Sequence, residues 1–103
     1  MCGFAGVVNL SGLAETGLEP RLSRAIERLR PRGPDGNGRW QDGRCALAHT
    51  RLAVIDLSDA ATQPMSRHGR VIAYNGEIYN FANLRETLRR RGYNFNSNSD
   101  TEV

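Results

Sequence analysis

Two prolines and three glycines fall within the nine residues "RPRGPDGNG" at 30–38. Neither Pro31 nor Pro34 suits a helix interior, and neither can donate to a sheet ladder. The stretch is therefore expected as a loop without regular structure, and it divides the chain. Before it, "GFAGVVN" at 3–9 is short, apolar and closed by the turn-like "NLSG", which reads as a buried strand. Leu18, Leu22, Ile26 and Leu29 then recur at helical spacing, with Arg21, Arg24 and Arg28 mostly off that face. Pro31 ends this helix.

Beyond the loop, "RCALAHTRLAVID" reads as one long strand or a strand pair, apolar on both faces. "RVIAYN" reads as another strand, and "GEIYN" turns the chain. Asn80 is placed to cap a helix over 81–91 that carries Phe81, Leu84 and Leu88 on one side. Arg89, Arg90 and Arg91 suit the negative end of that helix, and Gly92 stands where a terminating glycine belongs. "YNF" at 93–95 reads as a short strand. "SDTE" at 99–102 has the capping-box form S-x-x-E of a helix start, yet only Val103 follows. The expectation is a chain cut short.

A length of 103 residues allows one domain at most. With 39% apolar and 24% charged residues, disorder is not expected. No window approaches the roughly 18 unbroken apolar residues of a membrane span. No signal-peptide pattern opens the chain, so the expected location is the cytoplasm. Cys2 and Cys45 alone predict no disulfide framework. All 14 basic residues are arginine, interleaved with 11 acids for a net charge of +3. That distribution argues against a nucleic-acid surface. No paired Cys or His spacing suggests a metal.

A thiol nucleophile needs a base. His49, in a predicted strand, and His68, in the polar "SRHG" turn, read as structural or surface residues. A second base arises if Met1 is removed, because Cys2 then carries a free α-amine beside its own thiol. The two groups have reference pKa values of about 7.7–8.0 and about 8.5, so a proton can pass between them near neutral pH. In "YNGEIYN", the Asn75 amide and the Gly76 N–H are adjacent donors of the kind that holds an oxyanion, although Asn-Gly is also a common turn. Arg51, within an apolar run, needs a partner or solvent and suits a carboxylate. Glu77 and Asp100 lie outside the helices, where they could meet a cation or serve as surface charge.

Together, "MCGFAGVV", "RGPDG", "AHTRLAVIDLS", "QPM", "YNGEIYNFANLRETL" and "SDTEV" resemble the N-terminal glutaminase domain of glutamine-hydrolysing asparagine synthetases, which are class II glutamine amidotransferases. The resemblance spans essentially the whole chain. It implies an α+β fold: part of the four-layer αββα N-terminal-nucleophile sandwich, with antiparallel sheets. It implies that residues 1–103 are the first part of that domain, with the rest of the domain and the synthetase domain absent. It implies Cys2 as nucleophile toward the amide of L-glutamine, and Asn75 and Gly76 as oxyanion donors. Arg51 would grip the substrate carboxylate, with Leu52, Ala53, Val54 and Ile55 lining the site. Glu77 and Asp100 would face the substrate ammonium. No cofactor is implied in this segment; ATP and magnesium belong to the synthetase domain, the expected partner, which would aminate aspartate. A homodimer is left open, and neither nucleic acid nor membrane is expected as a partner. Two other readings stay open: an amidotransferase of this type with another acceptor, or a non-catalytic fragment. Pro31 stands where the family usually carries a histidine, a change that removes none of the residues just named.

Overall fold

The computed structural model describes residues 1–14 and 16–103. Three strands form one antiparallel sheet: β1 (Gly3–Val8), β2 (Gly36–Gln41) and β3 (Cys45–Arg51), in the order β1-β3-β2. Gly3 stands opposite Thr50 and Val8 opposite Cys45, while Gly36 pairs Arg51 and Gln41 pairs Ala46. The turn between β2 and β3 is built by Asp42, whose carboxylate accepts the N–H groups of Arg44 and Cys45 at 2.7 and 2.6 Å. Helix α1 (Leu18–Leu29) lies across one face of the sheet. Its buried residues Leu18, Leu22 and Ile26 meet Ala46 and Ala48, whose small side chains let the helix come close. The Thr50 hydroxyl donates to the carbonyl of Leu29 at 3.1 Å and ties the helix end to β3.

A separate hairpin follows, β4 (Met65–Arg67) and β5 (Arg70–Ile72). Its two turn residues, His68 and Gly69, have φ of 50° and 73°, the positive values a tight two-residue hairpin turn demands. Helix α2 (Phe81–Arg90) comes next. Gly92, at φ 93°, ends it. The N–H groups of Gly92 and Tyr93 return to the carbonyls of Arg89 and Leu88, which is a Schellman closure. Asp100–Glu102 form a single 3-10 turn, capped by the Ser99 hydroxyl accepting the Thr101 N–H. The chain is thus an α+β unit with antiparallel sheets. No helix of the described residues is long and apolar enough to cross a membrane.

Several expectations need correction. The first strand is half-buried rather than buried: Phe4 and Val8 are 50% and 65% exposed, because only one face of the sheet meets α1. Regular structure enters the glycine-rich segment, since β2 begins at Gly36 and pairs through its backbone. The long strand stops at Arg51, because the next N–H groups go to side chains. Leu52 donates to the Cys2 sulfur at 3.2 Å and Ala53 to the Asp35 carboxylate at 2.9 Å. β5 stops at Ile72, with the Tyr74 N–H donated to the Gln63 side chain at 2.6 Å. Residues 93–95 form no strand. Asn80 occupies the N-cap position of α2 without a side-chain cap bond, and the buried residue of that helix is Arg85, not Leu84.

Candidate active site

Four stretches far apart in sequence line one cavity of about 330 Å³. Met1 and Cys2 lead into β1. The end of β3 and the segment after it contribute Arg51, Leu52, Val54, Ile55 and Asp56, and further on Ala61 and Gln63. The turn before α2 contributes Tyr74, Asn75, Gly76 and Glu77, with Tyr79. The last stretch contributes Ser99, Asp100 and Thr101. All the site residues that the resemblance implied line this cavity except Ala53, which turns its N–H to Asp35.

Cys2 is held on both sides, by a backbone N–H at its sulfur and by a side chain at its carbonyl. Its sulfur receives the Leu52 N–H, and its carbonyl accepts Arg32 Nε at 3.1 Å. Arg32 is the first residue of the "RGPDG" loop. The same loop donates the Asp35 N–H to the carbonyl of Arg51 at 3.0 Å. The loop therefore braces the thiol and the start of the next wall together.

Arg51 is held by carbonyls rather than by a carboxylate. Its guanidinium donates to the carbonyl of Ser58 at 2.7 Å and to that of Asp56. A guanidinium carries five donors, so this grip leaves others for a ligand. Asp100 is buried, and its Oδ2 accepts the Ile78 N–H at 2.9 Å. His49 is fully buried under the site. Its Nε2 lies 3.3 Å from the Tyr74 carbonyl, and Nδ1 has no hydrogen-bond partner among the described residues. Burial pushes its pKa below the usual histidine value, the Tyr74 carbonyl opposes that, and Arg51 adds to it. A neutral, sequestered imidazole matches the structural role read for it.

The sequence profile of the glutamine amidotransferase domain family matches residues 1–103. The chain belongs to that family. Among its relatives are asparagine synthetase [glutamine-hydrolyzing] 1 of Bacillus subtilis, 42% identical over 100% of this chain and 17% of the relative. The protein of the same name from Arabidopsis thaliana is 40% identical over 100% of this chain and 17% of its own length. A probable asparagine synthetase [glutamine-hydrolyzing] of Dictyostelium discoideum is 41% identical over 99% and 18%. The chain spans about a sixth of the length of these curated relatives.

Sequence reasoning about this amidotransferase segment missed the residues that hold the cavity walls together. Gln63, 6% exposed, accepts the Tyr74 N–H and donates to the Thr101 hydroxyl at 3.1 Å. It links the stretch before Asn75 to the stretch after Asp100. Asp56, 8% exposed, bonds to Ser58 and Asn98. Arg85 donates to the carbonyls of Ser97 and Ser99 at 2.6 and 2.7 Å. Glu102 accepts from Asn96, Ser97 and Arg67. The one available signal was Asp56, an acid closing an apolar run; the other contacts span distances that local pattern does not encode.

Proposed function

We propose that this segment is the first part of a glutaminase domain in which Cys2, with Met1 removed, attacks the side-chain amide of L-glutamine. The α-amine of Cys2 takes the thiol proton, and sulfur adds to the amide carbon. The Asn75 amide and the Gly76 N–H hold the resulting oxyanion. The C–N bond then breaks, and ammonia leaves with the proton returned from the α-ammonium group. A γ-glutamyl thioester remains on Cys2, and water releases glutamate from it. Arg51 meets the substrate α-carboxylate beside Leu52–Ile55, and Glu77 with Asp100 meets the α-ammonium.

The observation that carries this reading is the convergence of Cys2, Arg51, Asn75, Gly76, Glu77 and Asp100 on one cavity of a chain that matches the amidotransferase family throughout. Met1 is 73% exposed at the cavity rim, within reach of removal. The architecture we assign is the four-layer αββα sandwich. The second face of the sheet, where Phe4 and Val8 are left exposed, supports a further layer there. In the whole protein, a synthetase domain using ATP and magnesium would pass the ammonia to aspartate, in the cytoplasm.

The test uses the full-length protein. Cys2→Ala is expected to abolish ammonia release from glutamine while leaving ammonia-dependent asparagine formation in place. Glutamine hydrolysis at the wild-type rate in that variant would sink the reading. Intact mass should show Met1 absent; a retained Met1 in active protein rules out the α-amine as base.

A further inference from the structure

We infer that Asp56 is a positioning residue for glutamine: it joins the Arg51 wall and the Asp100 wall into one unit, so that the α-carboxylate and the α-ammonium of the substrate are met at a fixed separation. This rests on the glutaminase reading above. Asp56 closes the apolar run that follows Arg51, and it is buried. Its polar atoms serve different partners. Its main-chain carbonyl accepts the Arg51 guanidinium. Its Oδ1 accepts the Ser58 N–H at 2.8 Å, and the Ser58 carbonyl returns to Arg51 at 2.7 Å. That closes a ring around the guanidinium. Its Oδ2 crosses 42 residues of sequence to accept the Asn98 N–H at 2.7 Å.

The loop it reaches is the one that presents Asp100. Arg85 pins the same loop from the far side through the carbonyls of Ser97 and Ser99. Ser99 immediately precedes Asp100, whose Oδ2 is already aligned by the Ile78 N–H. Asp56 is thus a direct side-chain bond between the segment that places the carboxylate grip and the segment that places the ammonium grip. Replacing it leaves Arg51 and Asp100 chemically intact and changes only where they stand. A shift of about 1 Å in such a grip can cost up to about a hundredfold in rate.

This separates positioning from plain structural support. A merely structural residue weakens turnover of every amide alike. A positioning residue weakens turnover only of substrates that use both grips. The experiment therefore measures ammonia release by the full-length protein from three amides. These are L-glutamine, glutaramate (which lacks the α-amine) and 4-aminobutanamide (which lacks the α-carboxylate). In Asp56→Ala, kcat/KM for L-glutamine is expected to fall about tenfold or more, chiefly through KM, with less than about a threefold fall for the two truncated amides. Asp56→Asn keeps the shape and one acceptor, so it should shift in the same direction by less. It carries the comparison if the alanine variant loses its cooperative thermal transition. An equal loss on all three amides, or wild-type glutamine kinetics in a folded variant, overturns the inference. A wild-type protein that releases no ammonia from L-glutamine overturns the glutaminase reading itself, and the inference with it.

Discussion

Gly33 has backbone where a side chain would begin. A Cβ there would stand 2.5 Å from the carbonyl carbon and oxygen of Thr50 and 2.6 Å from the Arg51 nitrogen. These atoms belong to β3 and cannot swing aside. Gly33→Ala must lift the loop from the strand, which strains the Asp35–Arg51 and Asp35–Ala53 bonds that shape the cavity wall. The expected cost is about 2 kcal/mol, read as a lower thermal midpoint. Gly36→Ala is the matched control, because nothing lies within 4 Å of its added carbon. Equal midpoints for the two variants would contradict the packing argument. The prolines beside Gly33 made an irregular loop legible in the sequence. That its glycine must touch Thr50 was not legible, because the contact depends on how β3 pairs with its neighbours. The residues that line the cavity were legible for a different reason: most sit in short motifs, and the motifs together pointed to one family.

Helix α2 shows where patterning succeeds and where it misleads. Its span, its glycine stop and its arginine-rich end follow local rules, and the helix forms close to its expected bounds. The face it buries does not follow those rules. Arg85 lies with its guanidinium 4.7 Å from the centre of the Phe95 ring while donating to two carbonyls. An arginine at a core position is legible only once the loop it serves is known. Arg85→Met keeps the length and apolar stem but leaves the Ser97 and Ser99 carbonyls unpaired. The expected loss is on the order of 3 kcal/mol. It should be local: amide hydrogen exchange over residues 96–102 should speed up while β1 and β3 stay protected. Uniform protection across the variant would argue against the helix acting as this loop's anchor. Strand ends were misjudged in a related way. Apolar residues 52–55 look like a continuing strand, but their first two N–H groups are taken by Cys2 and Asp35.

At the scale of the whole molecule, three groups, Glu102, Asp56 and His49, point to loss of stability on the acid side. Burial alone would raise the Glu102 carboxyl. The Ser97 hydroxyl, the N–H groups of Asn96 and Ser97, and Arg67 outweigh it and hold the group at about 2, against an ordinary 4.5. Asp56 is lowered by the Ser58 hydroxyl and N–H and by the Asn98 N–H. For such carboxyls the unfolded chain takes up protons first as pH falls. The stability they contribute is complete above the unfolded pKa and drains away as pH drops through the folded one. His49 adds to the same side by the opposite route. Burial lowers its pKa, so below about 6.5 the unfolded chain gains a proton that the folded chain refuses. Stability should therefore be level above pH 7, slip gently below 6.5 and fall steeply between 4.5 and 2. Glu102→Gln separates the two limbs. It should lower stability at pH 7, because Gln accepts fewer of the converging donors, and flatten the steep limb while leaving the gentle one. Urea midpoints measured from pH 3 to 8 read both effects. An unchanged slope below 4.5 in Glu102→Gln would mean that the carboxylate joining Asn96, Ser97 and Arg67 is not what acid dismantles.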